Sequence, residues 1–104
     1  MQKRERELVT PGQILLNQFL TPLNVSQSKL ARDIDVSRSR IAEIIADKRT
    51  ITADTALRLS YYFKTSPEFW LNMQNSYDLK KEKEKNWDFI QNTIRPMENS
   101  TPQH

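Results

Sequence analysis

The sequence predicts an all-α fold of five helices, and three observations carry that expectation. Apolar residues recur at three- and four-residue intervals along the 104-residue chain instead of alternating. There is a single glycine and no alternating run of Val, Ile and Thr, so tight hairpins are poorly served. Residues suited to opening a helix, Ser26, Ser37, Thr52 and Ser66, each stand just ahead of an apolar-periodic stretch.

Taken in order, residues 1–10 read as a flexible charged leader mixing Lys3, Arg4 and Arg6 with Glu5 and Glu7. Pro11 suits a helix N-terminus, where its missing N–H is not needed. Ile14, Leu15, Phe19 and Leu20 then mark one helical face, and Pro22 is expected to stop the helix. Ser26 opens a second helix carrying Leu30, Ala31 and Ile34. Ser37 opens a third with Ile41, Ile44 and Ile45 inward, closed by Lys48 and Arg49. Thr52 opens the fourth, with Asp54 in its first turn, where an acid suits the helix dipole. Ser66-Pro67-Glu68 opens the fifth, which carries Phe69, Trp70, Met73 and Tyr77 before the charge run Lys80–Lys85. Beyond Asn86 the pattern weakens; Trp87, Ile90 and Ile94 suit a short amphipathic helix ahead of Pro96. The expected division is a leader at 1–10, a domain at 11–85 and a partly disordered C-terminal extension at 86–104.

Composition narrows the chemistry. Sixteen Lys and Arg against thirteen Asp and Glu give a formal charge of +3, a mild lean toward anionic partners. There is no cysteine, hence no disulfide framework, thiolate metal site or thiol nucleophile. The one histidine is His104, the last residue, so histidine acid–base catalysis is not expected. No nucleophile, base and positioned donor can be assembled, and no enzyme or cofactor is predicted. No apolar run approaches the roughly 18 residues of a membrane span, and MQKRERELVT lacks an apolar signal core. A cytoplasmic domain is the expectation.

Ser26–Arg49 is the stretch with a mechanism. It reads as two short helices joined at Ile34-Asp35-Val36 by a sharp turn, a helix-turn-helix. Ala31 is small enough to let the second helix cross the first closely. Val36, Ile41 and Ile44 pin it, leaving Arg38, Ser39, Arg40 and Glu43 facing outward. A helix N-terminus offers free N–H groups to phosphate, and arginine is suited to bidentate contact with guanine. The alternative for Arg38, Ser39 and Arg40 is a solvated helix face. Glu43 either accepts from a cytosine amino group or pairs with Arg40.

Several blocks together carry a resemblance: PGQILLNQFL, LNVSQSKLA, VSRSRIAEI, KRTITADTALRL and SPEFWLNMQNSYDL, spanning Pro11 to Leu79. They resemble the HigA/VapI-type antitoxins of bacteria, in the Cro/CI-like helix-turn-helix superfamily. The resemblance implies a lambda-repressor-like domain acting as a homodimer. It also implies repression of the chain's own operon through palindromic operator DNA, and neutralisation of a RelE-like mRNA-cleaving toxin of HigB type. By position in that motif, Gln27 would contact phosphate, Arg38 and Ser39 would face base edges, and Arg40 and Glu43 would lie near the groove. Ser37, Lys48, Arg49 and Thr52 would touch the DNA backbone. The turn position often held by glycine is Asp35, which tolerates a left-handed backbone better than most residues. A stand-alone regulator without a toxin, or a protein-binding inhibitor without DNA, would carry much of the same motif.

Phe69, Trp70, Met73 and Tyr77 are expected to complete the core and a dimer interface, their aromatic density exceeding what one small core needs. Lys80–Lys85 is ordinarily a solvated helix end, with phosphate contact as the alternative. Asp33, Asp35 and Asp47 lack a supporting His or Cys, so a metal site is not predicted.

Overall fold

Serine and threonine decide where the helices of this chain begin. In the computed structural model, which describes residues 8–98, the hydroxyl oxygens of Ser26, Ser37, Thr52 and Ser66 each accept the backbone N–H three residues on, at 3.0–3.4 Å. Each satisfies a donor that the first helical turn leaves orphaned. A further cap lies inside the stretch expected to be a leader: Thr10 accepts from Gln13 N–H while its own N–H donates to Gln13 Oε1, both at 3.1 Å. Sequence reasoning assigned Thr10 to the leader and missed this reciprocal box. The remainder of the expected leader, residues 1–7, lies outside the described residues, as do 99–104 of the tail.

The helices are α1 over 11–23, α2 (Gln27–Asp33), α3 (Arg38–Ile45), α4 (Ala53–Phe63) and α5 (Pro67–Thr93). There is no strand among the described residues. Their ends follow one device. Asn24, Asp35, Asp47 and Lys64 take left-handed backbone, φ 59–62°, just past α1, α2, α3 and α4. The next residue's N–H then reaches back five positions: Val25 to Leu20 O, Val36 to Ala31 O, Lys48 to Glu43 O and Thr65 to Ser60 O, at 2.8–3.1 Å. Glycine usually occupies that left-handed position; here Asn, Asp and Lys do.

Pro22 does not stop α1. The helix widens into a π turn over Leu15–Leu20, Thr21 N–H bonds to Leu16 O five residues back, and helical backbone continues through Leu23. Widened turns relieve the ring clash and absorb the missing donor that would otherwise end a helix at proline. Asn24 makes the actual stop.

Ile44, Ile41, Leu30, Leu15, Leu20, Leu59 and Trp70 form the centre of the core. Gly12 sets how closely α1 approaches α3: a Cβ there would lie 2.1 Å from Ile44 O and 2.6 Å from Ile45 Cα. Two backbones meet where only glycine fits.

α5 is a 27-residue helix, about 40 Å long at 1.5 Å per residue. It runs unbroken past Asn86, where a separate short helix was expected. After Pro67 it contains no proline or glycine, so the charge run simply continues the helix. Trp70 completes the core as expected but has no surface for the expected dimer interface: it is fully buried, and its Nε1 donates to Thr65 Oγ1 at 2.8 Å. Its ring lies tilted against Phe19 and edge-to-face with Phe69, each at a centroid separation of 5.0 Å. Tyr77 is likewise buried in this one chain and donates to Asp47 Oδ2, and Met73 packs half-buried on the core. Of the four residues expected at the interface, Phe69 alone is exposed.

Candidate nucleic-acid interface

α2 and α3 meet through the turn at Asp35, whose φ of 59° is the left-handed conformation expected there. Ser37 leads straight into α3, so Arg38 and Ser39 are its first two residues. Both are exposed, and neither has a hydrogen-bond or ion-pair partner among the described residues. They stand at the positive end of the helix, free to meet an anionic ligand. Ser37 itself is exposed but its oxygen is committed to Arg40 N–H.

Arg40 departs from the outward position expected of it. Its Nη2 turns back to α4, donating to Asp54 Oδ2 at 2.8 Å and to Thr55 Oγ1 at 3.2 Å. Glu43 does not pair with Arg40; its Oε1 accepts from Arg49 Nε at 2.8 Å, so Arg49 is engaged as well. Both members of that pair are about half exposed, so solvent and a phosphate can compete for Arg49. Lys48 is exposed beside the α3 C-terminus. Gln27, the first residue of α2, is half-buried, and Thr52 spends its oxygen on capping α4. The residues left unengaged at the head of α3 are therefore Arg38 and Ser39.

Asp54 and Arg58 were missed as part of this region. Arg58 Nη1 donates to Ile34 O at 2.8 Å and to Asp35 O at 3.2 Å, while its Nε donates to Asp54 Oδ2 at 2.9 Å. Their four-residue spacing is a visible helical pair in the sequence. That the pair grips the turn before α3 is visible only in three dimensions. Gln74, buried on α5, was also missed: its Oε1 accepts Ile51 N–H at 2.8 Å, tying α5 to the loop after α3.

The acidic residues are dispersed among different partners. Lys29 Nζ lies 2.9 Å from Asp33 Oδ2, and Tyr62 OH donates to the same oxygen at 2.7 Å. The hydrogen bond from Lys29 and then that from Tyr62 hold the Asp33 carboxyl below the usual carboxylate range. Asp47 accepts from Tyr77, which raises the tyrosine's pKa. No group of three or more His, Cys, Asp and Glu side chains fit to hold a metal exists among the described residues. No helix among them is long and apolar enough to cross a membrane.

Comparison with known proteins gives this geometry a setting. The family described as Helix-turn-helix (HTH_3) matches residues 16–70. Virulence-associated protein I of Dichelobacter nodosus is 48% identical over 78 residues, 75% of this chain and 72% of that protein. Antitoxin HigA-1 of Vibrio cholerae is 34% identical over 79 residues, 76% of this chain and 74% of that one. Among solved structures, Pseudomonas aeruginosa antitoxin HigA with the higBA promoter superposes with a TM-score of 0.84 at 37% identity, over 88% of this chain and 99% of that chain.

Proposed function

This chain belongs to the XRE-type helix-turn-helix family, among the HigA-type antitoxins, and on that premise we propose that it represses its own operon and neutralises a toxin encoded beside it. The observation that carries the DNA-binding half is the pair Arg38 and Ser39, exposed and unpartnered on the first turn of α3. In the proposed complex Arg38 donates to guanine O6 and N7, with Ser39 beside it at a base edge. Gln27, Ser37, Lys48, Arg49 and Thr52 line the flanking phosphates. Two protomers set their α3 helices in successive major grooves of a palindrome, with half-sites about 34–36 Å apart. The P. aeruginosa relative, solved with promoter DNA, supports transferring this mode of binding here.

Homodimerisation draws on the apolar side chains that α5 leaves exposed, Phe69, Leu79, Trp87 and Phe89, with Ile94 just past its end. The proposed toxin is of RelE-like, mRNA-cleaving type, a reading that the likeness to HigA-type antitoxins supports. One experiment tests both halves. The chain should shift a duplex taken from upstream of its own gene at low salt and leave a scrambled duplex largely unshifted. Co-expression should restore growth to cells making the neighbouring toxin. A shift without rescue would make the chain a stand-alone regulator, and rescue without a shift a pure inhibitor; either outcome removes half of the proposal.

A further inference from the structure

We propose that Asp54 and Arg58 are positioning residues for the DNA-reading helix, and that Arg40 serves the same frame instead of contacting bases. The proposal rests on the DNA-binding reading above. One oxygen of Asp54, Oδ2, accepts from Arg40 Nη2 at 2.8 Å and from Arg58 Nε at 2.9 Å. Arg58 reaches on with Nη1 to the carbonyls of Ile34 and Asp35, at 2.8 and 3.2 Å. Arg40 is further fixed by Thr55, which is buried. The contacts form a closed ring. It runs from the turn to Arg58, to Asp54, to Arg40 in the first turn of α3, and back along the chain to Asp35. Ser37, Arg38 and Ser39 lie on the covalent arc of that ring. α3 cannot tilt about the turn without breaking one of these bonds.

Ion pairs this exposed add little to the stability of the fold; the Asp54 side chain is 54% exposed. Their effect belongs to binding. A turn and a first helical turn already held in place need not be ordered when DNA arrives. The frame also makes a prediction opposite in sign to simple electrostatics. Removing an acid beside an anionic ligand should tighten binding, whereas removing the keystone of the frame should weaken it where Arg38 must be aimed.

The test measures binding of the full-length chain and its Asp54→Ala, Arg58→Ala and Arg40→Ala variants to the promoter duplex and to a scrambled duplex, across a salt series. Melting curves establish that each variant is folded, and Asp54→Ser, which stays polar but is too short to bridge both arginines, stands in where Asp54→Ala is not. Asp54→Ala should lose roughly tenfold on the promoter duplex and nothing on the scrambled one. The Arg40→Ala/Asp54→Ala double variant should lose no more than the worse single variant, because both break one ring. Salt slopes should stay at the wild-type value; a slope lower by about one per protomer in Arg40→Ala or Arg58→Ala would make that residue a phosphate contact and overturn its role here. Equal or tighter promoter binding by Asp54→Ala, with wild type discriminating the two duplexes, overturns the frame alone. Wild type failing to discriminate them overturns the DNA-binding reading and the frame with it.

Discussion

Gly12 is where a single hydrogen atom sets the distance between two helices. Alanine is the better helix former by up to about 1 kcal/mol. Its methyl group, though, would be driven to 2.1 Å from the Ile44 carbonyl oxygen, which is backbone and cannot swing away. Overpacking of that kind costs about 1–3 kcal/mol and occasionally more, so the clash outweighs propensity. Gly12→Ala should lower the urea midpoint, and should weaken promoter binding because the strain falls on the last turn of α3. An unchanged midpoint would mean that α1 moves away at no cost. At the same scale, Trp70 and Phe69 are neighbours with opposite fates. Trp70→Ala empties a fully buried site and should destabilise by about 3–5 kcal/mol. Phe69→Asp, 40% exposed but packed edge-on against Trp70, should cost less stability than Trp70→Ala and shift sedimentation toward monomer. A folded, dimeric Phe69→Asp would move the interface elsewhere.

Among the elements, the helix starts were the most legible part of the sequence, because a hydroxyl ahead of an apolar-periodic run states its own mechanism. Ser26, Ser37, Thr52 and Ser66 all cap as expected. The stops were less legible. A proline at position 22 carries the signal to end a helix, but the π turn that absorbs it depends on how Leu15 and Leu20 sit in the core. The left-handed stop at Asp35 was readable from residue type; that of Lys64 was not, since lysine has no special tolerance for that backbone. The cluster joining α2 to α4 gives a pH-dependent readout. Asp33 titrates below its ordinary value because Lys29 and Tyr62 bond to its ionised form. Its folded pKa is thus depressed, so its contribution is present above the unfolded value of about 3.9 and is lost as pH falls through the lower folded one. Carbon-detected NMR titration should place the Asp33 midpoint below that of a free aspartate, and Tyr62→Phe should move it upward. An unmoved midpoint in that variant would leave Lys29 as the sole cause.

At the scale of the whole molecule, the chain presents the proposed reading head, the start of α3, on a frame supplied by everything else. α1 is stopped against the back of α3 by Gly12, α4 grips its first turn through Asp54, and α5 ties the loop after it through Gln74. The sequence made the head legible, since Ser37-Arg38-Ser39 follows a recognisable turn. It did not separate the proposed reader from the proposed strut. Arg38 and Arg40 are the same residue type two positions apart, and only packing against α4 turns one inward and leaves the other free. The same limit applied to Trp70: its place in the core was legible, but that Phe19 and Thr65 would enclose it and leave it no surface for a partner was not.

The most direct test of Arg38 as reader is a binding survey over operator variants changed one base pair at a time, for wild type and Arg38→Ala. Arg38→Ala should lose about 1–3 kcal/mol on the native operator, with discrimination relaxed at one base pair in each half-site and retained elsewhere. An equal loss on every duplex, scrambled DNA included, would reduce Arg38 to a phosphate contact and contradict the account.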